Sequence, residues 1–462
     1  MQSTIRHEGV SSPDQPQCEV RHNVPTLQPI DKREAARRSG DNMKWSNKNP
    51  FMASLSERYA LNGSNSTKET IHLSINLTGS GIEYKAGDAL GVIPTNPPEL
   101  VDELISTLGW SPKDTVTTQK GERDLRTALI EDVEVHRLNK KVMAAISSSH
   151  KPSSGRLVLV RRERRSLDSN EVTETWSVDE NGTMSSSDFS SEDQDPLSRI
   201  AGIGNDAEAT EEYIWSRDYI DLVSEIGEYP GTPQDLVDTM DRLKPRLYSI
   251  SSSPDAHLGE VHLTVAVVRY HHHDRDRMGL CSGWMAETVA KDTPDVPVFL
   301  SATKSFVLPE DPSTDIIMVG PGTGIAPFRA FLEQRECDGA TGRNWLFFGD
   351  WTESDHYYYR EQIEGWIESG LITQMTTAFS RDQEEKIYVQ HRMMEHGSDL
   401  WSWLSSGAVF YVCGDKSRMA KDVHQALIDI AKEHGGMTSE DAKHYIETKL
   451  MREEKRYLRD VY

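Results

Sequence analysis

Apolar and polar positions settle into a regular rhythm only from Asn49-Pro50-Phe51 onward. Thr70-Ile71-His72-Leu73-Ser74-Ile75-Asn76-Leu77 places an apolar side chain at every second position, the period of a half-buried strand. Tyr84-Lys85-Ala86-Gly87-Asp88 then marks a tight turn before the apolar stretch Ala89 to Ile93. Leu100, Leu104 and Leu108 share one face of a helix. Thr232-Pro233 reads as an N-cap followed by proline at the first helical position, which predicts a helix over Pro233 to Leu243. Strands resume at the β-branched run Val261 to Val268 and at Val296 to Leu300. From Ile316 the period alternates. Strands at Ile316 to Val319, Trp345 to Phe348, Leu371 to Phe379 and Val409 to Val412 are separated by helices at Phe328 to Arg335, Tyr359 to Glu368 and Val389 to His396. The pattern predicts a doubly wound α/β domain following a β domain. Residues 1 to about 42 carry no sustained apolar period and read as a mobile tail.

Composition narrows the class. A chain of 462 residues can bury two or three cores. Neither a membrane span nor a signal pattern is legible, which favours a soluble, cytoplasmic protein. Cys18, Cys281, Cys337 and Cys413 lie far apart with no CxxC pair, so reduced thiols are expected rather than a zinc site, an iron-sulfur cluster or disulfides. The net charge of −23 disfavours nucleic acid and anionic membranes as partners. About half of that charge is local: residues 166–212 hold thirteen acids and one arginine, a net −12, with serine runs between them. Such a segment reads as a solvated disordered loop, with an acidic docking or regulatory loop as the alternative.

Two stretches carry most of the chemistry. Gly320-Pro321-Gly322-Thr323-Gly324-Ile325-Ala326-Pro327-Phe328 opens a helix directly after a strand, the arrangement that turns free backbone N–H groups toward a pyrophosphate. Arg246-Leu247-Tyr248-Ser249 sets a cation, a ring and a hydroxyl within four residues, as a phosphorylated ring system needs. Together they suggest two nucleotides held face to face. Downstream, Ser380-Arg381 and Lys386-Ile387-Tyr388-Val389-Gln390 cluster cations, hydroxyls and amides suited to the 2′-phosphate of NADPH. Cys413 precedes a Gly-Asp turn at a strand end, where a thiol can touch a nicotinamide ring. His271-His272-His273-Asp274 reads as an exposed loop rather than a metal site, and Trp401 and Trp403 as packing.

The ordered series RLYS, GLCS, GPGTGIAPF, SRDQEEKIYVQ and YVCGDKSRMAKD, ending in RDVY, resembles the FAD/NADPH half of the diflavin reductases, most nearly the flavoprotein alpha component of NADPH-sulfite reductase. It covers about residues 44 to 150 and 216 to 462. The resemblance implies a ferredoxin-NADP reductase-like fold. An FAD-binding antiparallel β-barrel (43–98 and 245–308) would carry a helical connecting region (99–244, with the acidic insert 166–212), and a parallel-sheet NADPH-binding domain (309–462) would follow a tail (1–42).

By the same resemblance Arg246, Leu247, Tyr248 and Ser249 contact the flavin, joined by Thr264, Val265, Ala266 and Tyr270 on the next strand. Gly279, Leu280, Cys281 and Ser282 hold the FAD pyrophosphate. Gly322, Thr323 and Gly324 form the NADPH pyrophosphate loop, and Ser380, Arg381, Lys386, Ile387, Tyr388, Val389, Gln390 and Asp422 the 2′-phosphate and adenosine contacts. Ser249, Cys413 and Asp460 correspond to the hydride-transfer cluster, with Tyr462 stacked over the isoalloxazine and displaced to admit nicotinamide. The family's N-terminal FMN domain has no counterpart here, which implies transfer from FAD to a separate protein: a sulfite reductase haemoprotein, a flavodoxin or a ferredoxin. A reductase for another haem enzyme and a non-catalytic NADPH-binding subunit are the rival readings.

Overall fold

The computed structural model describes residues 45–149, 157–161, 174–178, 184–186 and 195–462. The tail expected over residues 1–42 lies outside them, as does most of the acidic stretch before residue 195.

The described residues open on three strands, β1 (Phe51–Ala60), β2 (Glu69–Asn76) and β3 (Ala89–Val92). The turn before β3 needs its glycine: Gly87 has φ +102°, and a Cβ there would lie 2.0 Å from the Phe306 carbonyl oxygen. A mainly helical region follows, with helices Pro98–Leu108, Leu125–Glu131, Lys140–Ser149, Pro196–Gly204, Ala207–Ser216, Tyr219–Ile226 and Pro233–Thr239. It also holds the hairpin β4 (Thr115–Thr118) and β5 (Gly121–Asp124) and a small sheet of β6 (Leu157–Arg161), β7 (Glu174–Val178) and β8 (Met184–Ser186).

Two expectations in this region change. The last part of the acidic segment is helical, because Asp195 and Asp206 cap helices through the N–H groups of Ser198 and Ala209. Ile200 and Tyr213 then bury themselves in the helical core, so residues 196–212 are not a loop. The helix from Pro233 stops at Thr239 rather than Leu243. Met240 is extended, and the backbone beyond it pairs with another loop, through a bridge of Arg242 to Val133 and a bond from Leu243 N–H to Asp132 O.

The chain returns to the first sheet with β9 (Arg246–Ser249) and β10 (Glu260–Val267), makes the hairpin β11 (Arg269–His272) and β12 (Arg275–Met278), and completes the sheet with β13 (Val296–Ser301). The strand order is β10-β2-β1-β13-β3-β9, all antiparallel, and a bridge from Ile250 to Leu263 brings the β9 end back to β10. This is the expected barrel.

The last domain holds β14 (Ile316–Val319), β15 (Asn344–Asp350), β16 (Gln374–Phe379), β17 (Val409–Gly414) and β18 (Tyr457–Val461), all parallel in the order β16-β15-β14-β17-β18. Helices cover both faces, and Trp345, Phe347, Phe328 and Phe331 are fully buried between the layers. Trp403 packs into this core, as read from the sequence. Strand β18 and the long helix Met419–His434 were not anticipated. In β18, Leu458 and Asp460 alternate with Arg459 and Val461, a mixture without a clean apolar face, and its place is set by its ladder to β17.

Strand β2 is not half-buried. Thr70, His72 and Ser74 are 1%, 2% and 2% exposed, because the α/β domain covers the polar face that solvent was expected to take.

Candidate functional site

On the barrel side, Tyr248 and Ser249 sit on the short strand β9, which pairs with β3 in the register Ala89 to Ser249. Arg246 is steadied from the helical region by Glu134, at 2.7 Å. Tyr248 is hydrogen-bonded to Cys281; burial pushes its phenol far up and the Cys281 thiol to about 12, so both are neutral. Leu280 to Gly283 form one helical turn behind Gly279, where a Cβ would lie 2.8 Å from Ser282 Oγ and 2.9 Å from Val268 Cβ.

The second half of the site comes from β17 and β18, whose register pairs Cys413 with Asp460. Ser249 Oγ donates to Asp460 Oδ2 at 2.6 Å, and Cys413 Sγ donates to the same oxygen at 3.8 Å. Burial, reinforced by the neighbouring carboxylate, drives the Cys413 thiol well above its usual range. Cys413 is therefore a neutral donor, not a thiolate nucleophile. Tyr462 anchors the chain end by a phenol contact to Thr323 Oγ1 at 3.0 Å and by its backbone to Gly414 and Lys416.

Side chains two apart on a strand share a face, so Leu247 lies with Ser249 and Tyr462 with Asp460. Leu247 and Tyr462 are exposed by 57% and 63%, an apolar and an aromatic surface flanking the Ser249–Asp460 bridge. Apolar and aromatic surface beside hydrogen-bonding groups is what a planar heteroaromatic ring requires.

The nucleotide side is a cleft of about 590 Å³ at the carboxyl ends of the parallel strands. Gly322 has φ +59°, and residues Gly322–Ile325 form a 3-10 turn before the α-helix Ala326–Cys337 begins. Gly324 is required for packing: a Cβ there would sit 2.2 Å from the Cys413 carbonyl oxygen. The glycine turn is thus clamped directly to the strand that carries Cys413. Ser380, Arg381, Lys386, Tyr388, Val389, Gln390 and Asp422 all line the cleft, whereas Ile387 packs against the core. Gln390 donates to Asp422 at 3.3 Å. With Arg418 added, three cations of the α/β domain face a cleft whose Asp415 is occupied in capping the N–H groups of Ser417, Arg418 and Met419. That donor set suits a nucleotide with an extra phosphate.

The cleft also holds Lys68, Asp350 and Trp351, none of which the motifs pointed to. Arg381 lies 3.3 Å above the Trp351 ring, and Lys68, reaching across from the barrel, pairs with Asp350 at 2.5 Å. No local pattern marks Lys68, since its relevance arises only when the domains meet. Conversely, Thr264 donates or accepts at Tyr359 OH (2.7 Å) in the domain interface and Val265 belongs to the barrel core, while Ala266 and Tyr270 are exposed. The histidines 271–273 are exposed on the hairpin.

Comparison with known proteins agrees with this two-nucleotide geometry. Residues 43–143 and 202–284 match the family model of the FAD binding domain, and residues 318–425 that of the oxidoreductase NAD-binding domain. Proteins named sulfite reductase (NADPH) flavoprotein alpha-component are similar along most of the chain. The Bacillus subtilis protein is 40% identical over 431 residues, covering 93% of this chain and 63% of its own length. That of Photorhabdus laumondii is 39% identical over 413 residues, covering 89% and 61%. One from Shewanella sp. strain ANA-3 is 36% identical over 462 residues, covering 99% and 67%. The chain thus spans somewhat under two thirds of the length of the first two relatives. With both domain models matched in order and the similarity running through the helical region between them, the chain belongs to the family of sulfite reductase (NADPH) flavoprotein alpha-components, of which it holds the FAD-binding and NAD-binding domains.

Proposed function

We propose that this protein is an NADPH-dependent FAD oxidoreductase that passes electrons to a separate protein acceptor, a haemoprotein of the sulfite reductase type. The observation that carries the reading is the 2.6 Å bond from Ser249 to Asp460, which joins the flavin-side strand of one domain to the nucleotide-side strand of the other. Bound FAD supplies a ring that accepts two electrons from NADPH as hydride and releases them singly.

The chain's own residues do the rest. Asp460 places a carboxylate where positive charge grows on the nicotinamide. Ser249 donates its proton to Asp460 and keeps its oxygen lone pairs for the N–H that the ring would gain with the hydride. Cys413, neutral and polarizable, packs the ring edge without competing as a nucleophile. Arg381 and Lys386 bind the 2′-phosphate, with Trp351 holding the guanidinium in place. Tyr462 covers the ring face and is displaced when nicotinamide enters.

The test is direct. Purified protein is expected to carry FAD, to be bleached by NADPH, and to reduce ferricyanide readily. Adding the haemoprotein alone, or with a flavodoxin or ferredoxin, identifies the acceptor. A protein that binds no flavin, or whose flavin NADPH leaves oxidised, defeats the proposal.

A further inference from the structure

The two halves of the site stand on different domains, so something must set the distance between them. The Ser249–Asp460 bond is one link. The larger one is buried some residues away, in a polar network that no binding role explains.

Its centre is the helix Ala326–Cys337, which starts directly after the Gly322–Ile325 turn. Arg329 and Glu333, one turn apart, pair at 2.7 Å with side chains 8% and 3% exposed. Two of their other polar atoms reach backbone groups of the barrel domain. Arg329 Nη1 donates to Ser251 O at 2.6 Å, and the Ser253 N–H donates to Glu333 Oε2 at 2.9 Å. Both serines are fully buried. Gln362 completes the pair by accepting from Arg329 Nε (2.7 Å) and donating to Glu333 Oε1 (3.0 Å). His257 and His262 close the barrel side, at 3.1 Å from Glu333 and 3.3 Å from Arg329.

The decisive feature is position along the backbone. Ser251 lies two residues beyond Ser249, and Arg329 five residues beyond Gly324 on a rigid helix. We propose that Arg329 and Glu333 are positioning residues for the reaction: their buried pair ties the backbone two and four residues beyond Ser249 to the helix of the nucleotide turn, and so sets the ring-to-ring separation. The inference deepens the reading above and rests on it.

This role is distinct from a contribution to stability. A buried ion pair is often no more stabilising than apolar residues of equal volume. Bonds to two backbone groups of the neighbouring domain are directional, whereas an apolar contact lets surfaces slide. A misplacement of about 1 Å between reacting groups costs on the order of a hundredfold in rate.

The experiment compares full-chain Arg329→Met, Arg329→Lys and Glu333→Gln with the parent protein. Readouts are FAD per chain, NADP+ affinity, hydrogen exchange at residues 249–254, and stopped-flow flavin reduction with NADPH and with NADPH deuterated at the transferred position. Arg329→Met keeps volume and is expected to reduce flavin at least about tenfold more slowly with an enlarged isotope effect. FAD content and NADP+ affinity are expected to stay within about twofold, because Arg329 and Glu333 bond to none of the residues placed against either nucleotide. The Ser253 amide is expected to exchange faster, while the Ile316–Val319 amides do not. Arg329→Lys is expected to recover most of the rate. Glu333→Gln, nearly isosteric, answers the question if Arg329→Met does not fold. Unchanged reduction rates in the folded variants overturn the proposal, as does a rate loss that merely tracks FAD content. A parent protein that NADPH does not reduce takes down the reading of the site itself, and that failure is visible before any substitution.

Discussion

Ser249 on β9 and Asp460 on β18 share a 2.6 Å hydrogen bond although 211 residues separate them. Each belongs to a different domain, and Cys413 reaches the same carboxylate oxygen from the neighbouring strand. One carboxylate thus organises both donors. Asp460→Asn keeps the shape and removes the charge, so flavin reduction is expected to slow by roughly a hundred- to a thousandfold, the span for losing a preorganised electrostatic contact. FAD content is expected to remain near that of the parent. Stopped-flow absorbance with NADPH in excess is the measurement, and an unchanged rate assigns the cluster a structural role.

Arg381 stacks on Trp351 and faces the cleft with Lys386. Each charge-assisted bond to a 2′-phosphate is worth about 1.5 to 3 kcal/mol, so Arg381→Ala and Lys386→Ala are each expected to lower NADPH kcat/KM by roughly ten- to a hundredfold. NADH kcat/KM is expected to change little. Equal losses with both nucleotides place the phosphate elsewhere.

The phenol of Tyr462 touches Thr323 in the glycine turn, so the chain end leans on the nucleotide loop it would vacate. Tyr462→Ala is expected to narrow the NADPH to NADH ratio, since part of the NADPH binding energy no longer drives displacement. The ratio of the two kcat/KM values decides it, with the flavin spectrum as a check that the ring is retained.

Gly324→Ala brings a Cβ within 2.2 Å of the Cys413 carbonyl, which is backbone and cannot swing away. A loss of about 1 to 3 kcal/mol is expected from overpacking, together with weakened nucleotide binding. Gly322→Ala meets nothing nearer than 3.7 Å and faces only the φ +59° penalty, about 1 to 2 kcal/mol. Thermal melts and NADP+ titrations of the pair distinguish a clash at the strand from strain in the turn.

The domain interface is expected to be sensitive to acid. Burial lowers His262 to about 4, only partly offset by its bond to Glu260, and burial lowers His72 to about 2. Burial alone would raise Glu333, but His257, Arg329 and the Ser253 N–H hold it at about 2. The signs agree. Below pH 6.5 the unfolded chain takes up protons that the folded histidines refuse, so stability falls as pH drops from 6.5 toward 4. Glu333 adds a further loss as pH falls from 4.5 through about 2. His262 alone accounts for on the order of 3 kcal/mol by pH 4. A His262→Gln variant is expected to flatten the Tm curve over that window, and a parallel curve refutes the assignment.

Local patterns were sufficient for much of this. The period-two alternation of β2, the strand-turn-helix at Gly320 to Phe328 and the Pro233 start of a helix depend on near neighbours in the chain, so they are legible without a structure. The grouping of Arg381, Lys386, Tyr388 and Gln390 in one cleft follows for the same reason, because eleven residues on one strand-loop-helix unit cannot lie far apart.

What escaped the sequence depends on the domains meeting. The polar face of β2 reads as solvent-facing until the α/β domain covers His72 and Thr70 and supplies Tyr359 and Tyr358 as partners. Lys68 becomes a cleft residue only when it reaches Asp350, and Arg329 reads as an ordinary helix cation until Ser251 offers it a buried carbonyl. Sequence alone determined the two nucleotide-binding units and the residue types they present. Tertiary structure decided their separation, because a buried donor or charge must find its partner wherever the packing of two surfaces provides one.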